Sequence, residues 1–237
     1  MDKVRTLKEK IIICTILLIA FILGVLAIMN YYNLLPKDSY NSLDFGIEEI
    51  HSNVDYDNDG IDDYSDFLLG ARKDAENHPT YISKYYEDAY PPDYEGVCTD
   101  VVWRAFKEAG YSLRDMMDYD ITNNPEDYDE VYEIDNKIDF RRVPNQRVFF
   151  EKYSVSLTLD PYDIEEWQPG DIVFINDNHV GIVSDKRTKS GVAYLIHNAG
   201  RPIGEEDYLT KKKITGHFRF DASLVPEDVL KRWNENS

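Results

Sequence analysis

The apolar and polar positions divide the chain into distinct stretches. Ile11–Met29 is a run of nineteen residues without a charge. At about 1.5 Å of rise per residue it nearly covers a hydrocarbon core of about 30 Å, so it predicts a transmembrane helix. Residues 30–53 are polar and mixed, with Pro36 and Gly46 and no sustained period, and read as a spacer. Phe67–Lys73 reads as a short amphipathic helix. Val101, Val102, Ala105, Phe106 and Ala109 recur at helical spacing, and Gly110 is a good stop, which predicts a helix beginning at Cys98. After Trp167-Gln168-Pro169-Gly170 the pattern turns to strands: Asp171–Ile175, His179–Ser184, Val192–His197 and Ile214–Phe220. The tail from Pro226 reads as a short terminal helix. A helix followed by an antiparallel meander predicts an α+β domain.

The flanks of the apolar run set its topology. Lys3, Arg5, Lys8 and Lys10 precede it, which keeps residues 1–10 in the cytoplasm. A cleaved signal peptide would carry an apolar region of only about 7–15 residues and small residues at its exit. Here the exit is Ala27-Ile28-Met29-Asn30-Tyr31-Tyr32, a poor cleavage site, so residues 11–29 read as an uncleaved signal anchor. Cys14 lies near the start of the run, which argues against a lipoprotein. The expected order is then a spacer (30–53), an acidic loop with a short helix (54–77), an extracytoplasmic domain (78–221) and a tail helix (222–237).

Charge narrows the partners. The chain has 26 basic and 45 acidic residues. Four of the basic and two of the acidic ones precede residue 30, so the remainder carries 22 against 43, a formal charge of −21. That balance argues against nucleic acid, which needs a basic face. It fits a solvated exterior and a demand for divalent cations. The densest acidic stretch, Asp115–Asp139, reads as a solvated insertion loop, with Tyr119, Tyr128 and Tyr132 as an alternative wall of a cleft.

Of two cysteines, only Cys98 lies outside the apolar run. A lone thiol in an exported domain is either a small buried hydrophobe or a reactive group. At a helix start, the macrodipole and free N–H groups would favour a thiolate and could form an oxyanion hole. His179 and His197 fall in consecutive strands. If these pair, the two imidazoles can lie side by side, giving the order of nucleophile, base and orienting group that a cysteine hydrolase needs. His197 and Asn198 are adjacent and face opposite sides, so only one can orient His179; His197 is favoured. His217 is expected in the core or on a sheet face, and His51 and His78 at the surface.

Gln168-Pro169-Gly170-Asp171-Ile172-Val173 followed by His179-Val180-Gly181-Ile182-Val183 resembles the hallmark of NlpC-type papain-like cell-wall cysteine peptidases. More closely, the chain resembles the bacterial family catalogued as domain of unknown function 1287. The matching pieces are Gly96–Val102, Asp139–Asn145, Trp167–Asp171, His179–Asp185, Ile196–Asn198 and Ile214–Phe218, over roughly Tyr81–Phe220. The resemblance implies a papain-like fold with Cys98 as nucleophile, His179 as base and acid and His197 as orienter. It also implies substrates such as peptidoglycan stem peptides. One departure is that NlpC-type enzymes usually carry an acid before the cysteine, whereas here Asp100 follows it. Arg141 and Arg142, beside Asn145, are candidates to hold a substrate carboxylate, against a local salt bridge to the acidic loop. Asn198 is a further substrate-side candidate.

Asp55, Asp57, Asp59, Gly60, Ile61, Asp63 and Asp66 occupy positions 1, 3, 5, 6, 7, 9 and 12 of an EF-hand-like calcium loop. Carboxylates at alternate positions would face one cation, and Ile61 would offer its carbonyl. Aspartate at position 12 is shorter than the usual glutamate and is similar to dockerin-type loops. The rival is an acidic turn capping the Phe67 helix. Calcium here would be structural. The sequence thus predicts a membrane-anchored cysteine hydrolase of the cell wall. The alternatives are a non-catalytic wall-binding module and a papain-like acyltransferase or esterase.

Overall fold

The computed structural model describes residues 2–32, 34, 35, 38–202 and 204–234. It divides into two compact units at Lys37/Asp38.

The first unit is helix α1 (Asp2–Tyr31). Its stretch Thr6–Tyr31 is long and apolar enough to cross a membrane and passes the same test as a signal sequence.

The second unit is an α+β domain. Its helices are α2 (Asp63–Asn77), α3 (Cys98–Glu108), α4 (Leu113–Asn123) and α5 (Val143–Tyr153). Its strands are β1 (Thr80–Tyr81), β2 (Glu95–Gly96), β3 (Val155–Ser156), β4 (Ile172–Ile175), β5 (His179–Arg187), β6 (Ala193–Ile196), β7 (Glu205–Glu206) and β8 (Ile214–Arg219). β1 and β2 form a short parallel pair; the rest form one antiparallel sheet in the order β3-β8-β4-β5-β6-β7.

The two-residue period of the strands separates two cores. Ile172, Phe174, Val180, Ile182, Ile196 and Phe218 meet Val101, Val102, Phe106, Phe149 and Phe150 from the helices. Val173, Ile175, Val183 and Leu195 pack on the other face with Trp167, Tyr208 and Leu209. The β4–β5 turn is tight because Asn176 and Asp177 both adopt positive φ, at 51° and 59°, which suits a primed hairpin turn. This turn fixes His179 opposite Ile175. Trp103 and Trp167 are core residues. His217 is buried, stacked on Trp167, and His51 and His78 are exposed.

Four expectations about organisation need correction. The spacer does not extend to residue 53, because from Asp38 onward the chain packs on the domain. Tyr40 pairs with Arg187, Ile47 is buried and the Ile50 amide donates to Gln168. The 54–77 segment is not a separate module, because α2 buries Phe67 and Ala71 in the helical core. The acidic stretch is not wholly a loop: its first part lies in α4, whose Met116, Met117 and Ile121 are buried. Among the described residues the tail forms no α-helix: a short 3-10 turn at Ala222–Leu224 leads into turns, and Val229 anchors in the core.

Candidate active site

Cys98 is the first residue of α3, after an extended Val97 at the N-cap. Asp100 explains how that start is held. Its carboxylate accepts the Val97 amide at 2.7 Å and Trp103 Nε1 at 2.7 Å. It also accepts Arg141 Nε at 2.7 Å and Nη2 at 2.9 Å, in a pair whose side chains are 0% and 2% exposed. The acid that follows the cysteine in sequence therefore acts as a helix-start clamp.

Arg141 cannot hold a substrate carboxylate, because its guanidinium is already committed to Asp100 and the Lys84 carbonyl. Its ion-pair partner is Asp100, not the acidic stretch. Arg142 does face that stretch: it lies 3.7 Å from Asp139 and on the wall of a cleft of about 580 Å³ with Asp118, Glu133 and Asp135. Tyr119, Tyr128 and Tyr132 do not line this cleft. Asn145 is buried and donates to the Asp139 carbonyl at 3.0 Å, a structural bond. Asn198 donates to the carbonyls of Pro79 and Gly96, each at 3.2 Å, and so ties the end of β6 to the strand leading into α3.

The histidines come together as the strand pattern predicted. His179 Nε2 and His197 Nδ1 lie 2.6 Å apart. Gly181 makes this approach feasible: a Cβ there would stand 2.6 Å from the Ile196 carbonyl oxygen and 3.0 Å from His197 Cβ. Behind them stands a residue the sequence reading missed. Glu206 Oε1 lies 3.3 Å from His197 Nε2, and both side chains are almost wholly buried. Glu206 sits in β7, opposite Leu195, and a two-residue strand gives too little pattern to reveal it. Tyr208 covers the pair, its ring centroid 4.4 Å from that of His197.

His197 Nε2 and Glu206 Oε1 approach to 3.3 Å without hydrogen-bond geometry, so the carboxylate neighbours the pair rather than fixing its tautomer. The His179–His197 bond occupies His179 Nε2 and leaves His179 Nδ1 outside the pair.

The Cys98 sulfur lies against β5, where the amides of Val180, Thr99 and Cys98 itself point at it. Burial nevertheless dominates and pushes the thiol up to about 11, with Asp100 adding to the rise. Burial, then the neighbouring His197, pushes His179 down to about 3. Among the described residues no hydrogen bond joins the two groups. The resting pair is thus an uncharged thiol and imidazole rather than the thiolate expected at a helix start. The dipole and amides are outweighed because Cys98 is 4% exposed. Since the thiol value is raised, the thiolate fraction climbs tenfold per pH unit until about 11. Iodoacetamide should therefore label resting Cys98 slowly at neutral pH and faster with each unit above it. Peptide mass spectrometry of the full chain, which separates Cys98 from Cys14, reads this directly. Rapid labelling at pH 6 would contradict it.

Tyr81 is a second residue the sequence did not single out. It is half-exposed, and burial first and then a charge on Cys98 would push its phenol up.

In the aspartate loop, carboxylate oxygens of Asp55, Asp57 and Asp59 lie within 4.8 Å of one another. Asp55 accepts the amides of Asp59 and Gly60 at 3.1 and 3.0 Å, and Gly60 has φ 98°, as the sharp turn needs. Asp63 departs from the expected ligand set: its carboxylate accepts Tyr111 Oη at 2.6 Å and the Tyr56 amide at 3.0 Å. Asp66 is 1% exposed, and its Oδ1 has no partner.

The family described as Domain of unknown function (DUF1287) matches residues 68–220. The chain belongs to the DUF1287 family. It is 34% identical over 151 residues to "Uncharacterized protein YijF" of Escherichia coli (strain K12), covering 60% of this chain and 72% of that protein. No solved structure matches significantly. The DUF1287 match includes Cys98, His179, His197 and Glu206 but begins after the aspartate loop.

Proposed function

We propose that this DUF1287 protein is a membrane-anchored cysteine hydrolase of papain-like type, with its domain outside the cytoplasm, that cleaves amide bonds in cell-wall peptide. The observation that carries the reading is the 2.6 Å contact between His179 and His197, with Glu206 behind it, at the start of the strand whose Val180 amide points at Cys98. The basic residues before α1 support the orientation. The likeness to NlpC-type motifs supports the substrate class.

In this mechanism the entering peptide displaces solvent and brings its carbonyl carbon to the Cys98 sulfur. The thiol proton passes to His179 Nδ1 as the carbon–sulfur bond forms. The imidazolium is stabilised by His197 and, through it, by the Glu206 carboxylate. Free amides at the start of α3 receive the developing oxyanion. His179 then returns the proton to the departing amine, leaving a thioester. Water, deprotonated by His179, hydrolyses the thioester and restores the thiol. Catalytic contacts that are long in a resting site and tighten with substrate are the usual pattern.

The test is incubation of the purified full chain with peptidoglycan, with released fragments and new termini read by mass spectrometry. Cys98→Ala and His179→Ala should each lower the rate by about a thousandfold or more. Unchanged release by Cys98→Ala would overturn the reading. The burial of Cys98 favours a second one, a cleft that grips wall peptide without cutting it. Wall binding without cleavage, unaffected by Cys98→Ala, would identify that.

A further inference from the structure

We propose that the aspartate loop is a calcium site whose ligands are Asp55, Asp57, Asp59, the Ile61 carbonyl and Asp66, and that Asp63 is not a ligand but the tether that joins the loop to the nucleophile helix. Three exposed or half-exposed acids close together are common without any ion. The observation that points to a cation is Asp66. It stands on the first turn of α2, its residue is 1% exposed, and its Oδ1 has no hydrogen-bond donor. The charges that act on it, Asp59, Asp57, Glu108 and Asp63, are all negative, and its oxygens lie outside the 4.8 Å cluster that Asp55, Asp57 and Asp59 form. Glu108 is itself engaged by Lys73. A buried carboxylate set against other carboxylates with no donor is costly unless a positive charge stands between them. The sequence separation of four ligating side chains, with a glycine at the turn, suits a hard cation with a flexible oxygen shell, which favours calcium over the smaller, octahedral magnesium.

The tether gives the ion a structural consequence. Asp63 accepts the Tyr111 hydroxyl, one residue beyond Gly110 at the end of the α3 segment. Gly110 has φ 78°, and a Cβ there would stand 2.6 Å from Asp57 Cβ. Tyr56 stacks on Tyr111 with ring centroids 4.0 Å apart. The loop therefore grips the C-terminal end of the helix whose first residue is Cys98. Calcium would fix the loop, and the loop would fix that helix. The site is independent of the proposed hydrolysis, since it stands whether or not Cys98 reacts.

The full chain in detergent, stripped with EDTA, is titrated with terbium chloride and then with calcium or magnesium chloride. Tyr56 and Tyr111 are the sensitisers for terbium emission. One terbium per chain is expected, displaced by calcium at about a tenth or less of the magnesium concentration. Calcium should also raise the melting temperature. Asp66→Asn and the surface variant Asp57→Asn should each weaken calcium by about tenfold or more. Asp63→Asn should keep calcium affinity within a few-fold while lowering the melting temperature. No saturable emission with an unchanged melt would overturn the proposal. So would wild-type affinity in Asp66→Asn, or equal displacement by magnesium.

Discussion

Arg141→Ala is expected to cost about 3–5 kcal/mol of folding stability, the range for removing one partner of a buried ion pair. The reason is what it leaves behind. Asp100 is wholly buried and would be left with only the Val97 amide and Trp103 Nε1 as donors. Arg142→Ala, one residue on and exposed, should change stability by less than about 1 kcal/mol, because its ion pair is at 3.7 Å and solvated. Denaturant melts of both variants of the full chain test the contrast. Equal and small losses would mean that the Asp100 clamp is not what holds the start of α3. The expected defect is one of architecture, so Cys98 labelling should quicken as stability falls in Arg141→Ala.

The second large effect belongs to Gly181→Ala. A methyl group there meets the Ile196 carbonyl oxygen at 2.6 Å and Leu195 Cγ at 2.9 Å. Two of these obstacles are backbone or core, so β5 and β6 must part or His197 must turn away. Overpacking of this kind costs about 1–3 kcal/mol. If the hydrolase reading holds, the larger effect is on rate. A displacement of about 1 Å in the group that orients the base can cost about a hundredfold. Val183→Ala, which removes packing on the same sheet face without touching the histidines, should lose comparable stability and keep its rate. A Gly181→Ala protein with wild-type turnover would show that the His179–His197 contact does not serve the reaction.

The parts of this site legible in the sequence are those with a long enough local signal. The α3 pattern of Val101, Val102, Ala105 and Phe106 placed Cys98 at a helix start, and strand alternation placed His197 rather than Asn198 toward His179. The parts that were not legible depend on distant pairings. Glu206 lies in a strand of two residues, whose face is set only by its register with Leu195. The sequence offers Arg141 as a holder of a substrate carboxylate or a partner of the acidic stretch. Its burial follows from the unusual position of Asp100, which needed a partner once α3 packed. Similarly, the loop spacing named Asp63 as a ligand, and only the fold brought Tyr111 to it. Charge state was the least legible, because it follows from burial that no local pattern reports. The helix start alone argues for a thiolate, and the closed surroundings of Cys98 reverse that.

The uncharged resting state of Cys98 also bears on oxidation. Peroxides attack thiolates, and sulfinic and sulfonic acids form by continued attack on the same exposed sulfur. A cysteine that is 4% exposed, its thiol pushed up by burial, offers oxidants little anion and little access. With no second cysteine in its unit, the domain could not repair a sulfenic acid through an internal disulfide. Under the proposed hydrolase function, keeping the proton on Cys98 until a carbonyl arrives would protect the one atom the reaction could not replace.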